Sequence, residues 1–278
     1  MTDLIQKRPA AWEPLTPRGV AAFAQATPGR LWLIQLAFAV AAASALIWFL
    51  HTAWFPVVTD ALERMPAEGQ IRFGLLEWHG DSPTPLADRQ FLALSVDLDH
   101  EGGRRSPAQV QVEFGRTNCV LISLLGCTSV AYPRTLTCSF GRAGLQPLWG
   151  AWRPILLWMA AGAGVVGLFL LWGVLASVYS LPAYFAAWVV KRDLTLGGSW
   201  RLAGAALMPG ALLMTLAVVV YGLGLMDLVH LGLALALHLV LGWAYLAAGI
   251  LSAPRHSQTP AEPENPFAAG PPTGVPPT

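Results

Sequence analysis

The sequence predicts a membrane protein in which four apolar helices form a transmembrane bundle, with a small β-rich domain inserted between the first and the second. Three observations carry that prediction. Charged residues make up 12% of the 278-residue chain against a hydrophobic share of 55%, and the mean hydropathy is +0.52. A water-soluble chain carries about 25% charge, so much of this surface is built for a medium other than water. Long apolar runs fill 31–50 and most of 154–252, while the stretch between them, 51–153, holds nine Arg, ten acids and short alternating apolar segments.

Residues 1–30 carry Lys7, Arg8, Arg18 and Arg30 against Asp3 and Glu13, with Pro9, Pro14, Pro17 and Pro28 interrupting any long helix. The first span is expected at 31–50, Leu31 to Leu50, where only Gln35 and Ser44 are polar. Twenty residues at a rise of about 1.5 Å cover the roughly 30 Å of a hydrocarbon core. Trp32 at one end and Trp48 and Trp54 at the other mark the two interfaces. A cleaved signal peptide is the rival of an uncleaved signal anchor. The small residues Ala41 to Ala45 lie inside the apolar run rather than after it, which favours the anchor.

The inserted stretch reads as a mostly antiparallel β or α+β domain. Strands are expected at Ile71–Trp78, Phe91–Asp97, Gln109–Phe114, Arg116–Ser123 and Arg134–Phe140, and a short helical turn at Asp60–Met65. Turn residues separate several of them: Gly80-Asp81-Ser82-Pro83, Glu101-Gly102-Gly103 and Tyr132-Pro133.

Beyond it, Pro154–Val190 is too long for one span. Ile155–Val178 is expected to cross the membrane, and an interfacial segment at 179–192, broken at Pro182, to lie along its surface. Leu202–Ser252 has room for two helices, near Leu202–Leu225 and Leu231–Leu251, turning at Gly222, Gly224, Asp227 and His230. From 253 to 278 the chain is proline-rich with little to bury, the composition of a solvated, disordered tail.

Basic residues set the expected orientation. Those of the N-terminal tail, Lys191, Arg192 and Arg201 between the second and third spans, and Arg255 after the fourth all fall on one side of a four-span chain. The positive-inside rule puts that side, and both termini, in the cytoplasm of a bacterial inner (plasma) membrane, with the β-rich domain outside.

Few residues could carry chemistry. Cys119, Cys127 and Cys138 all lie in the inserted domain, where an oxidising compartment permits a structural disulfide. Cys119 could pair with Cys127 across a hairpin, or with Cys138 if the strands around them are neighbours. Asp97, Asp99 and Glu101 with Gly102 imitate the start of a calcium-binding loop, but the twelfth position is Ala108, where a carboxylate is needed. An acidic turn is the expected reading. His238 lies mid-span in the fourth helix and Pro209-Gly210 kinks the third, forming the candidate polar site at membrane depth. Small residues four apart, at Ala37, Ala41 and Ala45, at Ala160 and Gly164, and at Ala163 and Gly167, allow close helix packing or a dimer.

The order of parts, with Met65-Pro66, Gly69-Gln70-Ile71, Phe91-Leu92-Ala93-Leu94-Ser95-Val96-Asp97 and Ala206-Leu207-Met208-Pro209, resembles a group of bacterial membrane proteins of the maltodextrin-utilisation type, whose helical part is similar to that of Yip1-type proteins. The resemblance implies an architecture and no activity.

No paired carboxylates or His cluster occurs at membrane depth, so neither an enzyme nor a cofactor is expected. The near-neutral balance, with a net charge of +1 and an isoelectric point near 7.8, speaks against nucleic acid as a partner. The expected partners are the lipid bilayer, other membrane proteins or a second copy of the chain. The leading expectation is a binding, sensing or assembly role through the external domain, and its rival is a small oligomeric transporter or permease component.

Overall fold

A computed structural model describes residues 12–100, 105–135 and 137–255. Among these residues, four helical segments are long and apolar enough to cross a membrane: Pro28–Arg64, Arg142–Val189, Leu196–Gly222 and Leu228–Ser252. A β-sheet domain stands between the first and the second.

The apolar run at 31–50 lies within α2 (Pro28–Phe49). Rather than ending at the expected interface, the helix passes through a π-helical turn at Leu50–Trp54 into α3 (Phe55–Arg64). The short turn expected at Asp60–Met65 is therefore the end of a continuous rod. Ahead of it, α1 (Pro17–Phe23) is capped by the Thr16 side chain, which accepts from the Gly19 N–H at 3.0 Å. Val20 and Phe23 are fully buried, so this part of the N-terminal tail is packed into the bundle.

Among the described residues, eight strands form two sheets. β1 (Gly69–Arg72), β2 (Leu75–Trp78) and β8 (Thr137–Ser139) make a three-stranded sheet in the order β2-β1-β8. The expected single strand Ile71–Trp78 is thus a hairpin. Phe73 (φ 53°) and Gly74 (φ 80°) form its two-residue loop, and two positive φ angles suit the twist of paired strands. The second sheet runs β3 (Thr84–Asp88), β4 (Leu92–Val96), β5 (Val110–Phe114), β6 (Asn118–Ser123) and β7 (Gly126–Ala131). It is mixed, because β4 and β5 are parallel and the other pairs antiparallel.

α4 spans Arg142–Val189, 48 residues, with Pro147, Pro154 and Pro182 inside it. The segment expected at 179–192 to lie along the interface instead continues α4 as far as Val189. A proline costs one backbone hydrogen bond, and here burial of Tyr179, Ser180, Ala183 and Ala187 offsets the loss. The third segment is α5 (Leu196–Ala206) followed by α6 (Met208–Gly222), bent at Leu207 just before Pro209. α7 (Leu228–Ser252) starts at Asp227, whose carboxylate caps the helix by accepting from the His230 N–H at 2.8 Å.

α5 is the most enclosed helix, with Leu202, Ala203, Ala205 and Ala206 at the centre of the core against Leu31, Ala176 and Leu246. On α2 the buried stripe is Leu31, Gln35, Ala39 and Ala43, whereas Ala37 and Ala41 are exposed. Of the small-residue pairs expected on α4, Ala163 and Gly167 are exposed, and a Cβ at Gly164 would lie 3.7 Å from Ala43.

The two ends of the bundle are closed differently. At the end that carries the sheets, Phe91 packs between Phe49 and Tyr221, with ring centroids 5.4 and 5.0 Å away, and Arg89 pairs with Asp60 at 2.7 Å. At the opposite end, side chains bond to carbonyls just beyond helix ends, the C-caps of α1 and α7 and Leu15 ahead of α1. Arg192 donates to Ala253 (2.6 Å), Arg201 to Ala24 (2.7 Å) and Tyr245 to Leu15 (2.9 Å).

Candidate functional site

A lined cavity lies where α3 and the start of α4 leave the bundle. Four residues of α3 and its C-cap, Val58, Ala61, Leu62 and Met65, line one wall of a cavity of about 400 Å³. Leu145, Leu148, Trp149 and Trp152 of α4 line the facing wall. Both sets follow the spacing i, i+3, i+4, i+7, which puts them on one helical face. Leu94, Phe114 and Phe140 close the cavity from the sheets, Phe114 and Phe140 with ring centroids 4.9 Å apart. Two indoles line it, Trp149 and Trp152, and the Trp149 Nε1–H is already engaged, donating to Thr59 Oγ1 at 3.1 Å. Ligand pockets generally hold about 300–1,000 Å³ and are mostly apolar. This one has the size and chemistry for an apolar chain and offers no group to anchor a charge.

The polar constellation of the domain lies at the far ends of β4, β5 and β6. His100 Nδ1 meets Glu113 Oε1 at 2.6 Å, and its Nε2 meets Asn118 Oδ1 at 2.7 Å. Asn118 donates in turn to Ser129 Oγ on β7 at 2.6 Å. A Cβ at Gly115 would collide with the His100 ring, so glycine there makes room for the clamp. The hydrogen bond to Glu113, then that to Asn118, raises the His100 pKa above its ordinary range. With both ring nitrogens facing acceptors, the imidazole holds its proton and has no free nitrogen to act as a base. Its chemistry is that of a cross-strand clamp.

The three cysteines are brought together in no pair. Cys119 lies opposite Val130 and Cys127 opposite Ile122, which places the two on opposite faces of the same hairpin. Cys138 is on β8 and faces Ile71 in the other sheet. The expected neighbourhood of the strands around Cys119 and Cys138 is therefore corrected: β6 pairs with β5 and β7, and all three thiols are free. Burial raises the Cys119 pKa, as does the nearby Glu113, so this thiol is a poor nucleophile.

Of the acidic turn, Asp97 is buried and its N–H donates to Phe114 O at 3.0 Å, while Asp99 is exposed and pairs with Arg116 at 3.3 Å. Glu101 lies outside the described residues. Among those described, no three His, Cys, Asp or Glu side chains converge as a metal site would require.

The bundle does bring Pro209-Gly210 and His238 together. A Cβ at Gly210 would fall 2.8 Å from the His238 carbonyl oxygen, so α6 and α7 touch there through backbone. The His238 Nδ1–H bonds the Leu235 carbonyl on its own helix, and the ring borders a second cavity of about 230 Å³ beside Leu207, Ala211 and Met214. Sequence reasoning anticipated neither the large cavity nor the clamp. The helical spacing of the lining residues is the available signal for the cavity, but it falls in stretches whose composition predicts a turn at 60–65 and domain sequence before 154. Set beside known families, curated proteins and solved structures, the chain matches none of them.

Proposed function

We propose that the chain is a non-enzymatic, multi-pass protein of a bacterial inner membrane, with both termini in the cytoplasm and a β domain outside that binds or senses an apolar, chain-like ligand. The observation that carries this reading is the cavity of about 400 Å³ walled by α3, α4 and the sheets. Acyl chains match its lining and size. The bundle serves as the anchor, and α4 joins it to the cavity without a break in the helix. The occupied nitrogens of His100 and the protonated thiol of Cys119 favour binding over catalysis.

The test is a binding titration of the full-length protein in nanodiscs with a fluorescent long-chain fatty acid. Ala61→Phe puts a ring into the cavity from α3, and binding should be lost while the melting of the helices is kept. Binding that survives Ala61→Phe would move the site elsewhere, and no saturable binding by the unaltered protein would remove the reading.

A second reading, a small oligomeric transporter, draws on the contact between Gly210 and the His238 carbonyl beside the smaller cavity. It expects a dimer in which the bend before Pro209 lines the path. Flux in proteoliposomes that is unchanged by His238→Leu would remove its coupling residue.

A further inference from the structure

The β6–β7 hairpin carries an apolar tip that no other described residue covers. Leu125 is 84% exposed and Leu124 65% exposed, and Leu121 and Val130 behind them are exposed as well. No charged side chain occurs between Arg116 and Arg134, although charge is frequent in the rest of the domain.

The register fixes where this tip points. β4 starts beside Phe91, which packs on Phe49 and Tyr221 near the ends of α2 and α6. From there β4 runs away from the bundle, since Leu94 further along it faces the same cavity as Leu62 and Met65 of the outgoing rod. β5 is parallel to β4, with Leu92 opposite Val110, and β6 is antiparallel to β5, with Val110 opposite Ser123. The hairpin therefore descends towards the bundle and turns at Leu124-Leu125, in the same row as Phe91. It lies two to three strands aside from β4, or roughly 10–14 Å at about 4.8 Å per strand. That places the tip level with the helix ends, and its exposure there means that it stands beside them and is not packed onto them. Arg153, the last charged residue of α4 before its apolar run, meets His51 at 3.5 Å, which puts the edge of the apolar zone at about the same level.

From this placement we infer that the β6–β7 hairpin is a membrane-contacting finger, with Leu124 and Leu125 seated in the lipid leaflet next to the bundle. A bilayer is the occupant that fits a blunt, uncharged, leucine-tipped loop held level with the ends of membrane-length helices. The contact tethers the free edge of the sheet to the membrane surface. It is independent of the ligand cavity and rests only on the bundle crossing a bilayer.

The experiment is site-specific photocrosslinking of the full-length protein in vesicles of phosphatidylcholine and phosphatidylglycerol. Benzoylphenylalanine is placed singly at Leu125, at Trp158 on the exposed face of α4, and at Arg116 at the far end of the sheet. Adducts are identified by mass spectrometry. Leu125 and Trp158 should both give lipid adducts, and Arg116 none. Lipid adducts at Trp158 without any at Leu125 would overturn the finger and leave the bundle in the bilayer. Adducts from Leu125 to protein, whether a second copy or another chain, would overturn it in favour of a protein partner. Absence of lipid adducts at both positions would overturn the membrane placement on which the inference rests.

Discussion

The two edges of the five-stranded sheet share one continuous backbone ladder and almost nothing else. On the β3–β4 edge, Leu86, Ala87, Leu92, Ala93 and Val96 are buried, with Val57, Ala61 and Leu62 of α3 in the same core. On the β6–β7 edge no residue of either strand is buried. The difference separates what makes a strand from what makes it persist. Backbone pairing defines all five strands, whereas apolar burial stabilises only those near the helix. Beyond its ladder the outer pair is held by the polar clamp of His100, Glu113, Asn118 and Ser129, and by Tyr132, whose hydroxyl donates to the Gly115 carbonyl at 3.1 Å.

The sharpest way to break that contrast is Leu86→Ala. Leu86 is fully buried, and removing a core leucine costs about 2–5 kcal/mol. Amides of β3 and β4 should exchange with deuterium about a hundredfold faster in the full-length protein, as a loss near 3 kcal/mol requires. An unchanged rate would mean that the helix-facing edge is not where the stability lies.

A smaller effect is expected from His100→Ala, which leaves the buried Glu113 carboxylate without its imidazole partner and costs about 1.5–3 kcal/mol. This contribution has a pH signature. Because the His100 pKa is raised on folding, the stabilisation is fully present below the unfolded value near 6.5 and fades as pH rises through the higher folded value. Opening of β6 and β7 in the unaltered protein should therefore quicken on going from mildly acidic to alkaline buffer, while His100→Ala stays flat over that window. A parallel response of the two proteins would rule out the clamp as the group responsible.

The mildest perturbation is chemical. Without reductant all three thiols should react with maleimide, exposed Cys127 fastest and half-buried Cys119 slowest. A pair that reacts only after reduction would show that the strands around it are closer than the sheets described here.

How much of this was legible in the residues differs by region. The helices announced themselves because long apolar runs tolerate little else, and Pro209 marked the bend between α5 and α6. Tyr179–Val190 does not announce its helix because Pro182 is a strong local breaker and its compensation, the burial of Ala183 and Ala187, is tertiary. β3 was hidden by Pro85, which is demoted in any strand pattern. It is tolerated because β3 is an edge strand whose register shifts between Pro85 and Ala87. β7, Gly126–Ala131, has small and polar residues with no alternation to read, since neither face is buried. The clamp joins residues 13 and 18 positions apart across three strands, a proximity that only the register supplies.

The uninterrupted length of α4 has a mechanical consequence. At a rise of about 1.5 Å its 48 residues reach roughly 70 Å, well over twice the hydrocarbon thickness. Its buried residues run from Trp172 to Ala187, so the rod is gripped in its second half, while its first turns wall the cavity at Leu145 and Leu148. A body clamped near one end is a lever. Tilting it about Trp172 by roughly 5° would sweep Leu145, 27 residues away, through about 3.5 Å at 1.5 Å per residue. A load on the cavity wall would thus act on the long arm, and the held end, where Arg192 donates to the Ala253 carbonyl, would move less.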